Sequence, residues 1–154
     1  MRIHQDATPK DMLFLAPDIS LPEVIDVNLL VEISPGELID KITILEIKLE
    51  RIADPEKKGN VEREFRLLDR VHRSNIENSE KLVLLHGELK RVNEVIWEIE
   101  DGIRDHERRR DFGASFVELA RGVYHNNDRR AALKREINSL LNSGLIEEKS
   151  YTPY

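Results

Sequence analysis

The feature that most constrains this chain is a seam of apolar residues, Leu82, Leu85, Leu89, Val92, Ile96, Ile99 and Ile103, spaced by alternating steps of three and four. At 3.6 residues per turn, such a seam runs along one side of a helix and has to be covered lengthwise by other helices. It predicts a long helix from about Ser79 to Arg109. The rest of the 154 residues agree: 35% are charged, 40% hydrophobic, and only 7 are glycine and 6 proline. That is the profile of one helical domain, large enough for a real core and with solvated faces.

Punctuation predicts the other helices. Ser34 reads as an N-cap, Pro35 as the first helical residue and Glu37 as the third, a capping box. In the helix that follows, Leu38, Ile42, Leu45 and Leu49 line one side while Ile44 and Ile47 lie almost opposite. A helix apolar on two sides is expected at the centre, ending near Ala53 before Asp54-Pro55. A second helix is expected over about Asn60 to Arg73, with Val61, Phe65, Leu68 and Val71 or His72 facing inward. Asp111-Phe112-Gly113 reads as a turn, and a last helix should run from about Ala114 to Asn142, stopped by Ser143-Gly144. Its inward stripe carries Phe116, Leu119, Ala120 and Val123, then Ile137 and Leu141. The fold expected is all-α and four-helix-bundle-like, a single helical domain over residues 30–154. Residues 1–29, with Pro9, Pro17 and Pro22 and no sustained periodicity, read as a short extended N-terminal arm.

Composition narrows the function. The chain has no cysteine, so disulfides, thiol chemistry and cysteine-ligated metal are out. The net charge is −6 and the longest like-charged run is Arg108-Arg109-Arg110, so no nucleic-acid surface is expected. No signal peptide and no apolar run long enough to span a membrane are visible, which makes a cytoplasmic location the expectation.

Candidate chemistry sits on stripes beside the seam. Asn93, Trp97 and Glu100 fall at i, i+4 and i+7, with Asp101 next to them, and Asp40 and Glu46 flank the first helix. On the last helix Asn127, Arg130 and Lys134 take inward positions where apolar residues are expected, unless Asn126-Asn127-Asp128 breaks the helix and resets its phase. Inward charges must be compensated, since desolvating each costs several kcal/mol. The expected arrangement is a structural network with Arg130 and Lys134 paired to Glu100 and Asp101. The alternative is a pocket in which Arg130, as a fork, and Lys134, as a point charge, hold a phosphate or carboxylate. Trp97 reads as a core anchor, or else as a ligand platform or interface hot spot.

Glu98-x-x-Asp101 matches half of the motif with which all-helical nucleotide pyrophosphohydrolases hold Mg²⁺ on two helices. The preceding Glu-Glu-x-x-Glu run is missing and the histidines are scattered, so no metal site and no cofactor are predicted.

Two segments carry a resemblance. Ser34-Pro-Gly-Glu-Leu-Ile-Asp-Lys-Ile-Thr-Ile-Leu-Glu-Ile-Lys48 and Asn93-x-x-Ile-Trp-x-x-Glu-Asp101 are similar to the opening and middle motifs of a family of small all-helical bacterial proteins of unknown function. Tyr124 to Asn138 and Glu147 to Tyr151 look familial as well, so the resemblance covers about Leu30 to Tyr151. It implies that Asp40, Lys41, Glu46, Asn93, Trp97, Glu100, Asp101, Asn127, Asp128, Arg129, Arg130 and Lys134 are signature positions. The family brings no activity with it. The leading expectation is a cytosolic binding or assembly module, a homo-oligomer or the partner of another protein. The alternative is an enzyme or receptor for a phosphorylated or anionic small molecule, in the manner of a metal-dependent nucleotide pyrophosphohydrolase.

Overall fold

The computed structural model describes residues 29–150 and 152. The chain divides into two units, Met1–Val31 and Glu32–Tyr154. Of the first, only Leu29 to Val31 are described, without regular secondary structure; the expected arm lies otherwise outside the described residues. The second unit is all-α, with helices α1 (Pro35–Arg51), α2 (Pro55–Asn75), α3 (Glu80–Arg109) and α4 (Ala114–Leu140), and no strand occurs among the described residues.

Three of the helices start on a side-chain cap. Ser34 Oγ accepts from the Glu37 N–H, Asp54 Oδ1 from Lys57 and Ser79 Oγ from Leu82. Each satisfies one of the amides that a helix start leaves without an internal partner. The Asp54-Pro55 step ends α1 and also opens α2, which therefore begins five residues before the expected Asn60. The stop after α4 is likewise shifted. Asn142, not Gly144, takes the left-handed conformation (φ 53°), and the Ser143 N–H returns to Asn138 O at 2.9 Å.

α1 is the central helix, in contact with α2, α3 and α4, whereas α2 lies against α1 alone. Leu38, Ile39, Ile42, Leu45 and Ile47 are all buried on it, which explains its two apolar stripes. No residue of α2 is buried; Val61, Phe65, Leu68 and His72 are half-buried and Val71 is exposed. α3 and α4 run antiparallel and in close contact, Gly122 facing Ile99 and Gly102 facing Leu119. The core cluster joins Ile39 of α1, Leu82, Leu85 and Leu89 of α3, and Leu133 and Ile137 of α4. Burying each such side chain contributes about 1.5–3 kcal/mol. Beyond that cluster the same α3 seam continues as Val92, Ile96, Ile99 and Ile103, all only half-buried. α4 stays helical through Asn126-Asn127-Asp128, the Asn126 side-chain amide donating to Gly122 O one turn back at 2.8 Å.

Candidate functional site

Where α1, α3 and α4 meet, the core turns polar. Thr43 Oγ1 donates to Asp40 O at 2.8 Å, and Asn93 Nδ2 donates both to Asp40 Oδ1 at 2.8 Å and to Thr43 Oγ1 at 3.0 Å. All three residues are buried. Both Asn93 amide hydrogens are spent, while its Oδ1, itself buried, has no partner among the described residues. An orphaned acceptor of this kind costs about 1–3 kcal/mol, so it marks a place where something other than packing shapes the structure.

Two cations come in from α4, and they differ. Lys134 is buried and doubly paired, to Glu37 Oε2 at 2.5 Å and Glu147 Oε2 at 2.6 Å. Burial works to lower its pKa, but the bonds to Glu147 and Glu37 outweigh that and hold it above its ordinary value. The same bond to Lys134 holds the Glu147 carboxyl below the ordinary glutamate value. One turn away, Arg130 is 28% exposed, and among the described residues its one ion-pair partner, Asp40, keeps Oδ2 3.9 Å from Nε, outside hydrogen-bond range. Lys134 is a structural clamp. Arg130 keeps its donors.

Arg130 stands at the inner end of a cleft of about 330 Å³ between the three helices. Ile44 and Ile47 of α1 and Ile96 and Trp97 of α3 form apolar walls, and Asn93 joins Arg130 at the inner end. Glu100, Asp101 and Arg104 bring charge to the outer part, with Glu100 Oε2 held by Arg104 at 3.1 Å. Arg51, paired with Glu98 at 3.0 Å, lies 5.8 Å from the centre of the Trp97 ring, in cation–π range. A second cleft of about 700 Å³, lined by Val123, Asn127, Asp128, Lys149 and Thr152 among others, also touches Arg130.

The predicted site residues are thus partly gathered. Asn93, Trp97, Glu100, Asp101 and Arg130 line one cleft, Asp40 lies beneath it, and Asn127 lines the other. Glu46 points elsewhere, to His86 Nε2 at 3.0 Å and Lys90 Nζ at 3.8 Å. The expected pairing of Arg130 and Lys134 with Glu100 and Asp101 does not form. Because Ile99 meets Gly122, Lys134 stands twelve residues further along α4, about 18 Å at 1.5 Å per residue. It meets the first turn of α1 instead. Glu37, explained in the sequence by capping, spends its carboxylate on Lys134. Thr43, Asn138 and Glu147 were not anticipated. Asn138 continues the 127, 130, 134 stripe by one turn and accepts the Gly36 N–H at 2.7 Å, a signal that was there to be read. Glu147, beyond the last helix, lies on no stripe, and only the resemblance of the Glu147 to Tyr151 segment points to it.

Among the described residues no group of three histidines or acids is placed to hold a metal ion. No helix of the described residues is long and apolar enough to cross a membrane. No curated protein and no solved structure matches the chain. The family comparison does match, over residues 29–154, and the chain belongs to the family of unknown function DUF6165.

Proposed function

We propose that this domain is a cytosolic binding module that takes a small organic anion in the cleft between α1, α3 and α4, with Arg130 as the fork that holds it. The observation that carries this reading is the contrast on α4. Lys134 has two carboxylates within 2.6 Å, while Arg130 has none within hydrogen-bond reach among the described residues and opens onto an apolar-walled cleft. A guanidinium with free donors beside a concave apolar surface is the usual anchor for a carboxylate or phosphate on an organic body. Trp97 is the chain's one tryptophan and lines that cleft, so its fluorescence reports occupancy directly. Titration with hexanoate, benzoate and phenyl phosphate should change the emission in wild type and leave Arg130→Gln unresponsive. An Arg130→Gln protein that binds as well as wild type sinks the proposal.

A second reading, self-association, rests on the half-covered α3 seam. From Ile99 to Ile103 it has α4 on one side and, among the described residues, no third helix to match what α1 supplies up to Ile96. Around this stretch Glu94, Glu98, Glu100 and Asp101 precede Arg104, Arg108, Arg109 and Arg110, although Asp105 already pairs with Arg108 and Arg109. A second copy laid antiparallel sets the basic end of one α3 against the acidic stretch of the other. Sedimentation at micromolar and higher concentration decides it: a monomer throughout removes this reading.

A further inference from the structure

The groups left uncommitted around the cleft are of two kinds. Arg130 offers donors and positive charge. Asn93 Oδ1 is an acceptor without a partner, on a residue only 5% exposed. Asp101 has neither an ion pair nor a hydrogen bond among the described residues, whereas its neighbour Glu100 is held by Arg104. A simple anion satisfies Arg130 and leaves both acceptors idle. It also sits against the buried Asp40 carboxylate, which a neighbouring ammonium group relieves.

Placement along α3 orders these groups. Asn93, Trp97 and Asp101 are four residues apart, so Trp97 lies one turn from each, and Asn93 and Asp101 are separated by about 12 Å along the axis. The inner end therefore has a cation (Arg130) and an acceptor (Asn93) together. The middle is apolar, from Ile44, Ile47, Ile96 and the Trp97 ring. The outer end has an open carboxylate.

Resting on the Arg130 reading above, we infer that the cleft takes an α-amino acid with a long cationic side chain, of the lysine or arginine type. Its carboxylate meets Arg130, and its α-ammonium lies on the side of Asp40, attracted by the Asp40 carboxylate and by the uncommitted Asn93 Oδ1 behind the cleft wall. The methylene stem lies across Trp97 and Ile47, and the terminal cation reaches Asp101. The tryptophan contributes twice, as apolar wall for the stem and as a π face near the terminal charge.

Trp97 fluorescence titrations with L-lysine, L-norleucine, hexanoate and cadaverine test this. Norleucine lacks only the terminal ammonium, hexanoate lacks both amines, and cadaverine lacks the carboxylate. L-Lysine should bind about fivefold or more tighter than L-norleucine, the worth of one partly exposed ion pair. L-Norleucine should in turn bind tighter than hexanoate, and cadaverine weakest. Asp101→Asn, on an exposed position, should bring L-lysine and L-norleucine level. If hexanoate or L-norleucine binds as tightly as L-lysine, with binding lost in Arg130→Gln, the amino-acid inference is overturned while the anion reading stands. If cadaverine binds best, or Arg130→Gln leaves L-lysine binding intact, the Arg130 reading itself fails and this inference with it.

Discussion

The two ends of α3 share one seam and meet different fates. At Leu82, Leu85 and Leu89 it is fully covered, by Ile39 of α1 and by Leu133 and Ile137 of α4. At Ile99 and Ile103 the same spacing is half-covered, because α1 stops at Arg51, level with Trp97 and Glu98, and leaves α3 and α4 as an antiparallel hairpin. Periodicity tells which side of a helix is apolar; it does not tell how many neighbours that side has. The cleft lies at the step between the two regimes, where a packed three-helix arrangement gives way to two helices. There a wall can be apolar, as Trp97 is, without being sealed.

The comparison can be broken most directly by truncating the seam at each end. Leu89→Ala should cost about 4 kcal/mol in denaturant unfolding, and Ile103→Ala only about 1, since a half-exposed side chain leaves little cavity. Equal losses would mean that the distal hairpin is covered in solution, as self-association requires. Next in size is Gly36→Ala. A Cβ there would stand 2.5 Å from Lys134 O and 2.9 Å from Asn138 Oδ1, so α1 and α4 must move apart, at about 3 kcal/mol. A neutral result would show that the packed end is looser than its geometry.

Smaller effects come from titration. The Glu147 carboxyl is held below its ordinary value by Lys134, so its contribution is complete above about pH 4.5 and is lost as pH falls through the lowered value. Replacing it, Glu147→Gln, should flatten that part of the acid limb by no more than about 1 kcal/mol, because the carboxylate is partly in water. His72 goes the same way for another reason. Burial, and then His86, lower its pKa below 6.5, so the unfolded chain takes up the proton first and stability declines as pH falls from 6.5. Urea midpoints at pH 7.5 and 5.5 should converge in His72→Phe relative to wild type. Least of all, Glu100→Ala should stay within about 0.5 kcal/mol of wild type, its partner Arg104 being largely exposed. A loss of several kcal/mol would restore Glu100 to the buried network from which the structure removes it.

What could be read from residues alone follows from the range over which each signal acts. Ser34-Pro35, the α3 seam and the two-sided α1 are local patterns, and they define the helices and the central one correctly. The Asp54-Pro55 step is equally local: it marks the end of α1 and, by the same cap-then-proline signature as Ser34-Pro35, the start of α2. Inward positions for Arg130 and Lys134 followed from spacing, but their partners did not. Which carboxylate meets which cation depends on the vertical alignment of α4 against α1 and α3. That alignment is set by small-residue contacts such as Gly36 on Lys134 and Gly122 on Ile99, and no stripe encodes it.

The Gly36–Asn138 bond joins residues 102 apart in sequence, and Glu37–Lys134 joins residues 97 apart. During synthesis the first helix emerges with its apolar faces and the Asp40 and Glu37 carboxylates, long before their α4 partners exist. Non-local closure of this kind slows folding, because the entropy of the loop is lost before any contact rewards it. A ribosome paused before Lys134 would therefore hold an α1 that has α2 and α3 beside it but not α4, and the domain becomes committed only when its final helix arrives.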